Sequence, residues 1–439
     1  MRVGVLLSNQ ALSIGGGYSF QTEIVTSLLR YAHLSTHQFT ILGSPEQIAD
    51  LRSTATSQNI TFDADSPQPS VPVGKRKERR TPSVLLDTGA SPSGAGHKSK
   101  GRDGLASLLP FVVRAARTTL QPLVRAITQV WDQAILERRI NGLALEICYC
   151  PYPLNVPLSV PYITTVWDLQ HRIQPWFPEV SANGEWEARD ENYTRCLRRA
   201  TAIITGTETG KEEVTTLYQV PPQHVQVIPF PAPISNDHPD TYPENIREKY
   251  NIPDQFLFYP AQFWPHKNHA NLLLALQTLR DVHGLALHLV LTGSDQGNLS
   301  HVQRLTVEYG LERQVHSLGF VPRRDLIELY RQAVALVFLT CFGPDNLPPL
   351  EAFALGCPVI ASNIAGAGEQ LGNAALLVDP QQPKEIALAF KRLYEEPSLR
   401  EMLIARGKAR TGLWTGKEYI LEFFRICDEF APIRRCWGS

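Results

Sequence analysis

The chain has 439 residues, 43% of them hydrophobic and 19% charged, with 42 Lys and Arg against 43 Asp and Glu. That length is too great for one ordinary core and predicts two domains, and a net charge of −1 gives no global field for nucleic acid. Seven scattered cysteines without a Cys-x-x-Cys pair exclude a disulfide framework and a zinc site as organising devices, which suits a reducing, cytoplasmic compartment.

The first apolar run, Val3 to Leu7, reads as a buried strand entered at once, without a basic leader. A glycine loop follows, containing Gly15, Gly16 and Gly17, and then apolar residues at helical spacing: Phe20, Ile24, Leu28 and Tyr31. Strand, glycine loop and helix together let backbone N–H groups approach a phosphate or a sugar, although three glycines also simply permit a tight turn. Neither the dinucleotide fingerprint nor the phosphate-loop pattern is present. Phe39 to Gly43 is a second strand.

Residues 63–104 change character. They are rich in Ser, Pro, Gly, Lys and Arg, lack any period, and read as a disordered insertion with a basic cluster at 75–80. Residues 105–140 carry Leu105, Leu108, Leu109, Val112, Leu120, Leu123 and Ile127 at helical spacing, interrupted by Arg114, Arg117 and Arg125. Two readings stay open for 75–139. One is peripheral contact with an anionic membrane. The other is a solvated tether followed by helices packed on the sheet with Arg facing water. No stretch of the chain is long and apolar enough to span a bilayer.

Glu146 to Cys150, Tyr162 to Trp167, Ala202 to Thr205 and Val225 to Pro229 read as further strands. The second of these runs into Asp168-Leu169-Gln170-His171, and the last into Pro229-Phe230-Pro231-Ala232-Pro233, a stiff linker suited to domains that hinge over a cleft. Strands then recur at Phe256–Ala261, Leu287–Thr292, Ala335–Leu339 and Ala375–Asp379. Between the first of them and a helix marked by Leu272, Leu273, Leu276 and Leu279 lies Gln262-Phe263-Trp264-Pro265-His266-Lys267. A cation there, near a helix N-terminus, makes an anion site. An amphipathic helix, Tyr419 to Phe430, closes the pattern.

The richest stretch is Phe342 to Asn363. Pro344, Pro348 and Pro349 predict a non-helical approach, Leu350 to Leu355 a short helix, Gly356 its stop, and Val359 to Ala361 a doubly buried strand. Glu351 is the anomaly. A carboxylate at the carboxyl edge of a parallel sheet accepts two hydroxyls as a ribose presents them, or merely complements a helix dipole.

Glu351-Ala352, Gly356-Cys357-Pro358-Val359 and Ala365-Gly366-Ala367-Gly368-Glu369 resemble the signature of the retaining glycosyltransferases of family 4. The variant Cys341-Phe342-Gly343-Pro344-Asp345-Asn346-Leu347-Pro348-Pro349-Leu350-Glu351 resembles a bacterial subgroup that assembles surface polysaccharide. The resemblance implies an α/β chain of GT-B type, with two Rossmann-like doubly wound domains facing a central cleft. It implies an acceptor domain over 1–235, a donor domain over 236–415, and a terminal helix over 416–439 that crosses back.

By the same resemblance, Lys267 holds the donor diphosphate with Gln262 and His266 beside it, and Glu351 takes the ribose. Phe320 lies beside the base. Gly16 and Gly17 approach the donor, and Asp345, Asn346, Leu347 and the loop Gly366, Ala367, Gly368, Glu369 contact the sugar. Asp168 and His171 face the reacting centre. Gly343, Gln262 and Trp167 depart from the family pattern, standing where Glu, Arg and often His are found. The expected activity is transfer of a hexose, mannose first, from a nucleotide-diphosphate sugar to a polysaccharide or lipid-linked oligosaccharide, with no metal and no cofactor beyond the donor. The alternatives are a sucrose- or glycogen-type synthase or phosphorylase, a sugar-nucleotide 2-epimerase, and a weakly catalytic nucleotide-sugar-binding membrane scaffold.

Overall fold

Runs of β-branched and other apolar residues form short strands that are covered on both faces. Ile147–Cys150, Tyr162–Thr165, Ala202–Thr205, Ala335–Phe338 and Val359–Ser362 are buried at every position, as expected where helices flank a parallel sheet. The computed structural model describes residues 1–8, 16–52, 57–64, 133–234 and 245–437. Within them the strands are β1 Arg2–Leu6, β2 Gln38–Leu42, β3 Ile60–Asp63, β4 Ile147–Cys150, β5 Tyr162–Thr165, β6 Ala202–Thr205, β7 Val225–Val227, β8 Phe256–Pro260, β9 His288–Thr292, β10 Val315–Gly319, β11 Ala335–Phe338, β12 Val359–Ser362 and β13 Ala375–Val378.

They form two sheets, with order β3-β2-β1-β4-β5-β6-β7 and β10-β9-β8-β11-β12-β13. Every pairing is parallel. Each sheet starts near its middle, runs outward for three strands and returns to the other side, so each has a switch point, between β1 and β4 and between β8 and β11. Crevices at the carboxyl ends of strands open at such points.

The helix Gly416–Arg434 leaves the second sheet and packs on the first. The Tyr419 and Tyr149 hydroxyls share a hydrogen bond of 2.7 Å, Phe423 lies 4.6 Å from Tyr149, and Phe424 stacks on Phe39 at 5.4 Å. The linker is pinned as well. Phe230 packs on Phe20 at 4.5 Å, and the Pro229 carbonyl accepts from Trp414 Nε1 at 2.6 Å.

Three expectations change. β3 was not expected, and Asp63, placed in the insertion, is the last residue of that strand. Arg139 Nε and Nη2 grip its carboxylate at 2.7 and 2.6 Å, a bidentate pair that lets an acid end a strand. The helix expected from Leu350 begins at Leu347. Pro348 and Pro349 fall in its first turn, where the N–H they lack has no intrahelical partner. The remaining insertion, 65–104, the amphipathic pattern over 105–132 and the glycine loop before Gly16 lie outside the described residues.

Candidate functional site

A cavity of about 860 Å³ lies between the two switch points, within the size range of small-molecule sites. The second domain contributes the loop after β8 (Ala261, Gln262, Trp264, His266, Lys267), the end of β9, Phe320 to Arg323, and Asp345 to Pro348. The first contributes one face of the helix Gly16–Tyr31 (Gly17, Tyr18, Thr22, Glu23, Thr26) and Trp167.

Lys267 ends a single 3-10 turn, Pro265–Lys267, just before the helix His269–His283. Its ammonium lies 4.9 Å from the centroid of the Phe338 ring and has no ion-pair partner among the described residues. Burial pulls its pKa down to about 8, while Asp168 and Glu179 act in the opposite direction. A cation that has shed most of its water at no partner's expense is ready to take an anionic ligand. Gln262 lines the same wall and accepts from Trp264 Nε1 at 2.9 Å. His266 brings no charge. Burial pushes its pKa to about 4, its ring stacks on Phe342 at 3.9 Å, and its backbone N–H and Nδ1 both meet Glu179 of the first domain.

Asp345 reaches across the cleft. A Cβ on Gly206 would stand 2.3 Å from Asp345 Oδ1, so the absence of a side chain at 206 admits the carboxyl. Burial, then the charge of Glu369, lift its pKa to about 8. Its Oδ1 has no hydrogen-bond partner among the described residues. Asn346 Nδ2 donates to the Gly343 carbonyl at 2.8 Å, which fixes the loop where a Glu was missing. Leu347 and Phe320 complete this side; Phe320 is 62% exposed.

The glycine-rich loop does not line the cavity. Gly366 has φ +84°, and a Cβ there would stand 2.5 Å from the Pro344 carbonyl oxygen, so it serves close packing under the Asp345 loop. Ala367 lines only a slot of about 10 Å³. Gly368 lines neither space. Glu369 accepts from the backbone N–H groups of Glu208 and Thr209, capping the helix Glu208–Tyr218 across the cleft.

Glu351 is buried behind the wall. Its Oε1 accepts from Arg323 Nη1 at 2.8 Å and its Oε2 from the Tyr330 hydroxyl at 2.7 Å. The guanidinium of Arg323, which sequence reasoning missed, stands between it and the cavity.

His171 does not line the cavity. It is fully buried within the first domain, bonds the Tyr218 hydroxyl through Nε2 at 2.8 Å, and stacks on Tyr193 at 5.5 Å. Burial, then Arg189, hold its pKa near 4. Asp168 is likewise engaged: its Oδ1 accepts from the Gln170 N–H at 3.0 Å and Arg189 Nη2 at 2.7 Å. Burial opposes its charge, and the charge and hydrogen bond of Arg189, the Gln170 N–H and His171 together outweigh burial and keep the carboxyl below its usual range. Trp167, one residue earlier, lines the cavity instead. The missed face Tyr18, Thr22, Glu23 and Thr26 left a legible signal, polar residues at helical spacing opposite Phe20, Ile24 and Leu28.

Residues 243–410 match the family model described as Glycosyl transferases group 1. The second domain is therefore a glycosyl transferases group 1 domain. It carries Lys267, Asp345, Glu351 and Glu369 within the matched span. An O-antigen chain mannosyltransferase B of Escherichia coli is 28% identical over 238 residues, 53% of this chain and 62% of that protein, so the match takes in less than two thirds of the relative's own length. A glycosyltransferase from Rickettsia africae superposes with TM-score 0.63 over 98% of both chains at 13% identity. The Anabaena protein HepE, solved in complex with UDP and glucose, superposes with TM-score 0.59 over 98% of this chain and 100% of that one at 14% identity. The whole chain thus has the GT-B architecture around its glycosyl transferases group 1 domain. Among the described residues no helix is long and apolar enough to cross a membrane, and no group of three His, Cys, Asp or Glu is placed to hold a metal ion.

Proposed function

We propose that this chain is a retaining glycosyltransferase that moves a hexose, mannose first, from a nucleotide-diphosphate sugar to a polysaccharide or lipid-linked acceptor. One observation carries the reading: the unpaired, desolvated Lys267 ammonium at a strand-to-helix loop of the group 1 domain, facing a cavity between two doubly wound sheets. The O-antigen mannosyltransferase relative supports the sugar, and the UDP complex of a protein of the same fold supports the donor class.

Lys267 neutralises charge growing on the leaving diphosphate. The Gly17 backbone and the start of the helix Gly16–Tyr31 approach the donor from the other side. Phe320 packs on the base, Asp345 and Asn346 hold sugar hydroxyls, and Glu351 takes the ribose. The leaving phosphate oxygen takes the acceptor's proton on the face it vacates, so the reaction needs no protein nucleophile. The hydroxyl-bearing helix face and Trp167 form the acceptor side.

The test is a thermal-shift panel of UDP, GDP, ADP and their hexoses, followed by incubation of the stabilising donor with lipid-linked and free glycans. A ligand at a hundred times its dissociation constant stabilises by about 2.7 kcal/mol. The expected result is one stabilising nucleotide and a product of unchanged anomeric configuration. A panel in which no nucleotide shifts the melting temperature overturns the proposal.

A further inference from the structure

Both oxygens of Glu351 are occupied by the protein itself, one by Arg323 Nη1 at 2.8 Å and one by the Tyr330 hydroxyl at 2.7 Å. The second arm of the same guanidinium, Nη2, donates to the carbonyl of Pro233, in the linker between the domains. Arg323 lines the cavity and Glu351 does not. Glu23, on the first domain's cavity-lining helix, is near enough for its charge to act on the guanidinium. Arg323 thus touches a donor-side carboxylate and the linker, and faces an acid of the opposite domain.

A ribose offers the carboxylate two vicinal hydroxyl donors, and a carboxylate has about four lone-pair positions. The Tyr330 bond occupies one of these on Oε2 and leaves room for more. Oε1 is held by Arg323, the one of its two partners that lines the cavity. Ribose and guanidinium therefore compete for one face of Glu351.

We propose that Arg323 is a ribose-displaceable latch: its guanidinium holds Glu351 and the Pro233 carbonyl together, and the vicinal hydroxyls of a nucleotide take its place on Glu351 and free the linker. The latch rests on the ribose role given to Glu351 above. A charge-assisted hydrogen bond must break before the ribose bonds form, so the latch lowers affinity for ribonucleotides and leaves analogues without those hydroxyls untouched. The gain is coupling. The linker learns whether the ribose position is occupied, because one side chain serves both contacts.

The experiment compares UDP and GDP with their 2′,3′-dideoxy counterparts, by calorimetric affinity, on wild type, Arg323→Ala, Arg323→Lys and Glu351→Gln. Hydrogen exchange is followed over residues 229–234. In wild type the ribonucleotide that binds is expected to speed exchange in the linker, while its dideoxy form binds without doing so. Arg323→Ala is expected to bind the ribonucleotide about tenfold more tightly and the dideoxy form unchanged. Its linker exchange is already fast and indifferent to ligand. Arg323→Lys, which keeps one donor, falls between and guards against a simple folding defect.

If the ribo-to-dideoxy preference is the same in wild type and Arg323→Ala, the latch fails and the ribose role of Glu351 stands. If there is no such preference in either protein, nor any loss in Glu351→Gln, the ribose role fails and the latch with it. A ribonucleotide weakened by Arg323→Ala would make the guanidinium a direct nucleotide contact and overturn the latch.

Discussion

The two walls of the cavity are built from similar parts and used differently. In both sheets a strand leads into a loop and a helix at a switch point. In the second domain that loop sends Gln262, His266 and Lys267 to the cavity. In the first, Trp167 lines the cavity, but the residues that follow it turn inward: Asp168 to Arg189, and His171 to Tyr218 and Tyr193. In the second domain the Lys267 ammonium has no ion-pair partner and Asp345 Oδ1 no hydrogen-bond partner among the described residues; in the first, the charge of Asp168 is paired with Arg189, and the atoms left without a partner, Trp167 Nε1 and His171 Nδ1, are uncharged. A site that holds one anionic donor needs fixed, underpaired charge. On the proposed function, the hydroxyls and aromatic face that Thr22, Thr26, Tyr18 and Trp167 bring to the first domain's wall suit a glycan acceptor.

Three measurements test this contrast. The largest effect is expected at Lys267. Lys267→Ala should lower the transfer rate by about 10²- to 10³-fold, read by steady-state turnover, with Lys267→Arg recovering part of it. Because its pKa is about 8, donor affinity of the wild type should be flat below pH 8 and fall as pH rises through it. Loss of that slope in Lys267→Ala confirms the source.

His171→Leu should leave transfer unaltered and cost about 1–3 kcal/mol of stability. Folded His171 stays neutral down to about 4, whereas the unfolded chain binds the proton near 6.5, so stability falls as pH drops through that window. The variant should fall less steeply there by chemical denaturation, and a large loss of turnover would restore His171 to the reacting face.

The smallest effect is expected at Asp345. Its raised pKa means the folded protein binds the extra proton, so wild-type stability declines between about pH 3.8 and 8 and levels off above. Asp345→Asn, which has no carboxyl to titrate, should gain on wild type across that window. Melting curves from pH 5 to 9 decide it.

The sheets were legible in the sequence because strands buried on both faces are written as unbroken apolar runs. β3 was not, since only one of its four positions is buried and its last residue is an acid whose partner, Arg139, lies 76 positions away. Lys267 was legible from its place before a helix. Arg323 was not, since Pro322-Arg323-Arg324 reads as an ordinary solvated helix start, and nothing local says that one of the two reaches Glu351 and the linker. The direction of His171 depends on Tyr193 and Tyr218, which spacing alone cannot bring together. The partners of Glu369 were hidden for the same reason: the amides of Glu208 and Thr209 sit on the other domain.

The returning helix Gly416–Arg434 sets an order of events during synthesis. Phe39 and Tyr149 belong to strands of the first domain, and the rings that cover them, Phe423, Phe424 and Tyr419, are made only after the whole of the second. The first domain therefore waits, with an apolar face uncovered, while the whole of the second is translated, and the two are finished together. A message cut short between the second domain and this helix leaves Phe39 and Tyr149 of the first domain without the rings that cover them, the kind of exposed apolar face that quality control recognises.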